Sequence, residues 1–265
     1  MPAGTVLSNY TGPCTITVAN TVIDSKTVTC ASLLIKTTGV VLKNSVFNGV
    51  DVNDDFSGAS FMIMDSTVIN GARDQCQCVG TRNFVAQRVE VRGGNRSMYC
   101  ASNCVISNSW LHAQQLQGSQ HGSGLREEQG TQASHNALTC DYPFVNDVTS
   151  LGCSAPLTGY PDFAPIKNNT INQNLFVTAS QGNCSTCDPG KPPFSFCAYG
   201  GNSQGKPFST DSTNATNQKF TNNVFQRGGN NVCGFYGPVT DFSTTRTGNV
   251  FSGNVYTDGA PVSAG

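Results

Sequence analysis

The chain has 265 residues, of which 37% are hydrophobic and only 12% charged, and 15 Lys and Arg against 16 Asp and Glu give a net charge of −1. A balance this sparse offers no basic footprint for displacing counterions from nucleic acid and no polybasic membrane patch. The apolar content is too high for a disordered chain, and the length suits a single domain with one sizeable core. No apolar signal core follows Met1, and no run approaches the ~20 apolar residues of a membrane span. The expectation is a mature secreted domain whose signal was removed and replaced by an initiator Met.

Twelve cysteines, an even and high number, sit near one another as Cys14 and Cys30, Cys76 and Cys78, Cys100 and Cys104, Cys140 and Cys153, Cys184 and Cys187, and Cys197 and Cys233. Disulfides in an oxidising compartment are the expected state, although so many cysteines leave the connectivity open. Cys184-Ser-Thr-Cys187 also has zinc-ligand spacing. No second pair follows at ribbon spacing and no His-x-x-x-His partner exists, so a disulfide is preferred there.

In chain order, eight segments share an apolar residue, a polar stretch and a second apolar position five residues on. They are Leu42-Lys-Asn-Ser-Val-Phe47, Met64-Asp-Ser-Thr-Val-Ile69, Ala86-Gln-Arg-Val-Glu-Val91, Ile106-Ser-Asn-Ser-Trp-Leu111, Ala133-Ser-His-Asn-Ala-Leu138, Ile171-Asn-Gln-Asn-Leu-Phe176, Phe220-Thr-Asn-Asn-Val-Phe225 and Phe251-Ser-Gly-Asn-Val-Tyr256. Both apolar columns must face a core. Strand side chains alternate with period two, so an odd offset requires a bend between the columns. The bend falls on Asn44, Asn108, Asn136, Asn174, Asn222, Asn223 and Asn254, a residue type that tolerates the left-handed conformation and can stack as a ladder. Strand, Asn corner, strand is one rung of a right-handed parallel β-helix. The fold expectation is therefore all-β, a single-domain solenoid over residues 1–265 with long disulfide-stapled loops and little helix.

Successive copies are spaced by 22, 22, 20, 27, 38, 49 and 31 residues. The later spacings call for insertions at about 140–163 and 178–219, where prolines and cysteines collect; such loops are usually functional or stapled.

On such a fold the residue after each second-column position points outward, giving the stripe Asn48, Asn70, Arg92, His112, Thr139, Val177, Gln226 and Thr257. The segment from His112 to Glu128 concentrates His112, His121, Arg126, Glu127 and Glu128 in a charge-poor chain, with glycines that let a ligand approach the backbone. An imidazole, a carboxylate and a guanidinium supply an acid or base and an electrostatic stabiliser for C5-proton abstraction or glycosidic cleavage. Arg92, His112, His121, Arg126 and Glu127 are the expected catalytic residues, and Asn48, Asn70, Gln114 and Glu128 the expected substrate-binding residues. His135 reads as a structural corner. Glu90 stands where other rungs carry Val46, Val68 and Trp110, with Arg88 of the same rung available to neutralise it. Asp51, Asp54, Asp55 and Asp74 could offer oxygens to Ca2+, but their spacing is not an EF-hand loop and turn formation is the simpler role. No cofactor is required. No nucleotide-binding glycine motif and no nucleophile elbow occurs.

The rungs Ile171-Asn-Gln-Asn-Leu-Phe176, Phe220-Thr-Asn-Asn-Val-Phe225 and Phe251-Ser-Gly-Asn-Val-Tyr256 resemble those of the pectate-lyase superfamily. The stretch Ser107-Asn-Ser-Trp-Leu-His112 is similar to rungs of secreted bacterial β-helix proteins. Comparable rungs carry an aspartate where this chain has Asn108. The string His121-Gly-Ser-Gly-Leu-Arg126 looks like the exposed His-Gly-Asp-Gly-Ile-Gln string of related proteins, with Ser123 in place of the aspartate and Arg126 in place of the glutamine. The resemblance implies a polysaccharide as partner, with Arg92 or Arg126 in the role of the lyase base and Ca2+ as the usual companion of that chemistry.

The expected function is a secreted, extracellular, monomeric protein that cleaves an acidic polysaccharide by β-elimination. A polysaccharide hydrolase and a non-catalytic glycan-binding surface module are the alternatives. Ice binding is weaker still, since it would want a regular Thr ladder. Neither nucleic acid nor a membrane is an expected partner.

Overall fold

The computed structural model describes residues 1–54, 57–71, 77–116, 121–141, 152–178 and 194–265. Among these residues the chain is all-β, every strand-to-strand pairing is parallel, and no helix is long and apolar enough to cross a membrane. The strands fall into three ladders, in each of which a strand pairs with the corresponding strand of the next copy.

The second ladder carries the first apolar column. It runs through Val22–Asp24, Val40–Lys43, the starts of Phe61–Ile69 and Phe84–Arg92, the ends of Arg96–Ser107 and His121–Ser134, and then Thr170–Asn172, Lys219–Thr221 and Val250–Ser252. The third carries the second column, from Lys26–Val28 and Val46–Asn48 through the ends of Phe61–Ile69 and Phe84–Arg92 to Trp110–His112, Ala137–Leu138, Leu175–Phe176, Val224–Phe225 and Val255–Tyr256. Leu42, Ala86, Ile106, Ile171 and Phe220 are fully buried in one column, and Phe47, Val91, Leu111, Leu138, Phe176 and Phe225 in the other. Each such aliphatic or aromatic side chain contributes roughly 1.5–3 kcal/mol when removed from water. Phe176 and Phe225 lie face to face with ring centres 4.5 Å apart.

Two features of the rungs differ from the sequence expectation. The copy read as Met64 to Ile69 is displaced by one residue: Ile63 pairs with Leu42 and Ala86, and Val68 with Phe47 and Val91, and both are fully buried. Ile63-Met64 and Val68-Ile69 offer an apolar pair at an offset of five in either frame, so spacing could not choose. A further rung precedes the eight, with Ile23 and Val28 in the two columns.

The first ladder was not visible as a repeat. It joins Ser32–Ile35, Asp51–Asn53, Gln77–Arg82, the starts of Arg96–Ser107 and His121–Ser134, then Gly152–Thr158, Phe196–Tyr199 and Gly237–Thr240. Its inward column is Leu33, Val52, Val79, Met98, Leu125, Leu157, Ala198 and Val239, all buried. Gly152–Thr158 and Phe196–Tyr199 fall inside the two regions expected to be insertions, so those regions supply strands as well as loops.

The corner between the second and third ladders is built from two adjacent columns. Asn44, Asp65, Arg88, Asn108, His135, Gln173 and Asn222 have positive φ between 49° and 57°. That region costs a non-glycine residue about 1–2 kcal/mol and is reached most easily by Asn and Asp. The residue that follows turns its side chain inward along the ladder. Ser109 N–H donates to Asn136 Oδ1 at 2.9 Å, Asn136 N–H to Asn174 Oδ1 at 3.0 Å, Asn174 N–H to Asn223 Oδ1 at 3.0 Å and Asn223 N–H to Asn254 Oδ1 at 3.0 Å. The Asn side chains thus satisfy backbone N–H groups that the bend removes from the strand ladders. His135 sits at a corner, as expected of a structural residue.

Cys14–Cys30, Cys100–Cys104, Cys140–Cys153 and Cys197–Cys233 form disulfides, a usage typical of extracellular proteins. Cys78 is a buried thiol. Cys76 and the Cys184–Cys187 pair lie outside the described residues.

Asn174→Ala removes an acceptor shared by the Asn136 N–H and Nδ2 and a donor to Ala133 O. The expected loss is about 3 kcal/mol of unfolding free energy, because the orphaned partners stay buried. A denaturation midpoint equal to that of the unaltered protein would show that the Asn ladder does not carry the corner.

Candidate functional site

The outer face of the first ladder carries a cluster of charged side chains. Register pairs Tyr99 with Arg126 and Arg126 with Thr158, so three successive rungs present these side chains side by side. The chain following Gly152–Thr158 brings Tyr160, Asp162 and Phe163 over them, and the segment after Phe196–Tyr199 adds Lys206. Tyr99 Oη donates to Glu128 Oε1 at 2.6 Å. Arg126 Nη2 donates to Asp162 Oδ2 at 3.1 Å and to Tyr160 O at 3.3 Å, while its Nε lies 3.9 Å from Glu128 Oε1. The guanidinium carbon is 4.7 Å from the centre of the Phe163 ring, which is 61% exposed. Lys206 Nζ sits 3.2 Å from the other Asp162 oxygen.

Arg96 completes the group, stacked 5.9 Å from the centre of the Tyr99 ring. Burial, reinforced by the charge of Arg126, pushes it down to about 10. Burial raises the Glu128 carboxyl above its ordinary value against the hydrogen bond from Tyr99 and the charges of Arg126, Arg82 and Arg96. Burial and the bond to Glu128 also raise the Tyr99 phenol. Asp162 goes the other way: burial pushes it up, but hydrogen bonds from Arg126 and Lys206 outweigh that and hold it low. The result is a tyrosine bridged to a carboxylate that is a stronger base than usual, between two guanidinium groups.

No protein-family model, curated protein or solved structure matches this chain. The chemistry of the site has to be read from its own residues.

The expected site residues separate into distinct places. Arg126 and Glu128 belong to the first-ladder group. Glu127, between them in sequence, points to the opposite side, is fully buried, and has neither carboxylate oxygen hydrogen-bonded. His121 is exposed at the start of its strand. Gln114 is a buried strut, with Nε2 donating to Ser97 Oγ and Thr139 O and Oε1 accepting from the Asp141 N–H. Arg92 and His112 are on the third ladder, in register with each other, and both contact Glu90: His112 Nε2 lies 3.1 Å and Arg92 Nε 3.3 Å from Glu90 Oε1. Arg88, read as the neutraliser of Glu90, instead makes a two-pronged bond to Asp65 at 2.6 and 2.7 Å, because its corner conformation aims it at the neighbouring corner.

Asn48 is exposed on the same stripe as Arg92 and His112, but Asn70 is not part of it. The one-residue displacement of its rung puts Ile69 opposite both Asn48 and Arg92 and leaves Asn70 beyond the strand, 3% exposed and hydrogen-bonded to Asp51. That bond occupies Asp51, while Asp54 Oδ1 caps the backbone N–H groups of Thr81 and Arg82. Among the described residues no three His, Cys, Asp or Glu gather as ion ligands, and Asp55 and Asp74 lie outside them.

Arg96, Tyr99, Tyr160, Asp162 and Lys206 were not anticipated. The only sequence signal for Asp162 and Lys206 was that they fall in the long regions between rungs.

Glu127 gives a test of its environment. Burial pushes its carboxyl up to about 8, well above the ordinary 4.5. The folded state therefore holds a proton that the unfolded state releases, so this stability is present below about pH 4.5 and is lost as the pH rises through about 8. Glu127→Gln, which cannot ionise, should gain stability relative to the unaltered protein by on the order of 3 kcal/mol between about pH 5 and pH 9. Parallel melting-temperature profiles for the two proteins would refute the burial of an ionisable Glu127.

Proposed function

We propose that the three ladders are the faces of a single-domain, right-handed parallel β-helix, and that the protein is secreted and cleaves an acidic polysaccharide by β-elimination over the first ladder. The observation that carries this reading is the Tyr99–Glu128 hydrogen bond set between Arg96 and Arg126. A uronate sugar presents a carboxylate at C6, an acidic C5–H and a leaving oxygen at C4. Arg96 and Arg126 bind and neutralise the carboxylate, which lowers the energy of the enolate-like transition state. The C5 proton passes to Tyr99 Oη as the phenol proton moves onto Glu128. The electron pair forms the C4–C5 double bond as the C4–O4 bond breaks, and the leaving oxygen recovers the proton from the Tyr99–Glu128 pair. In this scheme Arg126 supplies charge and Glu128 supplies the base. Asp162 and Lys206 hold Arg126 in place, and Phe163 covers it from solvent.

Incubation with pectate, alginate and glucuronan, followed by the ultraviolet absorbance of the unsaturated product, tests the reading directly. The unaltered protein is expected to form product from at least one of them. Tyr99→Phe, which keeps the ring but not the hydroxyl, should lower kcat about 10²- to 10⁴-fold without changing the melting temperature by more than a few degrees. Absence of unsaturated product from every acidic glycan would end the elimination reading. New reducing ends without unsaturation would point instead to hydrolysis by the Glu128 and Asp162 carboxyls.

A further inference from the structure

The chain has a single tryptophan, and it stands on the outside of the third ladder, 49% exposed. Large aromatic rings usually bury most of their area, so a half-exposed Trp on a regular strand needs a reason. Its orientation is fixed: the indole stacks on the His112 ring with centres 3.6 Å apart and planes 10° from parallel. In register on one side is Glu90, and on the other is Ala137, whose methyl group leaves space beside the indole. Glu90 Oε1 is held by both His112 and Arg92, so aromatic face, carboxylate and guanidinium form one pre-organised square across two rungs.

We propose that Glu90, Arg92, Trp110 and His112 form a binding site for a neutral polysaccharide, separate from the cleft over the first ladder. The C–H face of a pyranose ring packs on the indole. Its hydroxyls donate to Glu90 and accept from Arg92, whose side chain is 43% exposed. The pair is balanced in charge, and Glu90 stands directly across from the indole, so a uronate stacked there meets a carboxylate rather than an unpaired cation. The first-ladder cleft has the opposite balance, with Arg96, Arg126 and Lys206 facing Glu128 and Asp162. Two faces of one molecule thus suit two classes of glycan: an acidic one in the cleft and a neutral one at an anchoring platform. Because the binding partners are already fixed before the sugar arrives, little ordering entropy opposes binding. The platform does not depend on the elimination reading.

Trp110 emission reports this site alone, since no other tryptophan contributes. Titration with cello-, xylo- and manno-oligosaccharides should give a saturable change for at least one, and oligogalacturonate none. In affinity electrophoresis through the matching neutral polysaccharide, Trp110→Ala should lose about tenfold in apparent affinity and Trp110→Phe should keep part of it. Product formation from soluble acidic polymer should be the same in Trp110→Ala as in the unaltered protein, which separates failure of the platform from failure of the cleft reading. Emission unmoved by every neutral oligosaccharide, emission moved by oligogalacturonate alone, or equal retardation of Trp110→Ala and the unaltered protein would each overturn the proposal.

Discussion

Parallel stacking of like residues on like residues is the constraint on which this structure depends. Each inward column places apolar side chains directly above one another, so burial and strand pairing reinforce each other rung after rung. A parallel ladder cannot turn a corner without losing backbone hydrogen bonds, and the bend between the second and third ladders exposes that cost. Ser and Asn side chains answer it by accepting the N–H of the preceding rung. The same logic recurs at the corner after the first ladder, where the Thr131 N–H donates to Asn169 Oδ1 and the Gln218 N–H to Asn249 Oδ1.

That regularity makes the exceptions informative. The corner Asn side chains are hydrogen-bonded, whereas both oxygens of the Glu127 carboxyl lack a partner and burial drives it toward the neutral form. Glu128, one residue on, is buried almost as deeply but keeps a tyrosine and the cations Arg126, Arg82 and Arg96 within reach. Adjacent carboxyls on one strand therefore differ in character because alternation sends one into the core and the other among the charged groups of the first ladder's outer face.

Flat faces also let charge be sorted. The first ladder, overlaid by the long connections that carry Asp162, Phe163 and Lys206, gathers the cations and the tyrosine–carboxylate bond. The third ladder presents a balanced Glu90–Arg92 pair beside an exposed indole.

The sequence by itself determined the two apolar columns, the Asn-rich corner between them and the cysteine usage, since each depends on local spacing that repeats along the chain. It left the frame of one rung open, because Met64 and Ile69 fit an offset of five as well as Ile63 and Val68 do, and that ambiguity carried Asn70 onto a face where it does not lie. It also placed Arg92, His112, His121, Arg126 and Glu127 in one candidate group. Only the tertiary structure decided otherwise. Which ladder a residue joins, and whether its side chain points in or out, are set by pairing between segments 20 to 50 residues apart. The partners of Arg126, namely Tyr99, Asp162 and the Phe163 ring, come from two separate stretches that no local pattern connects to it.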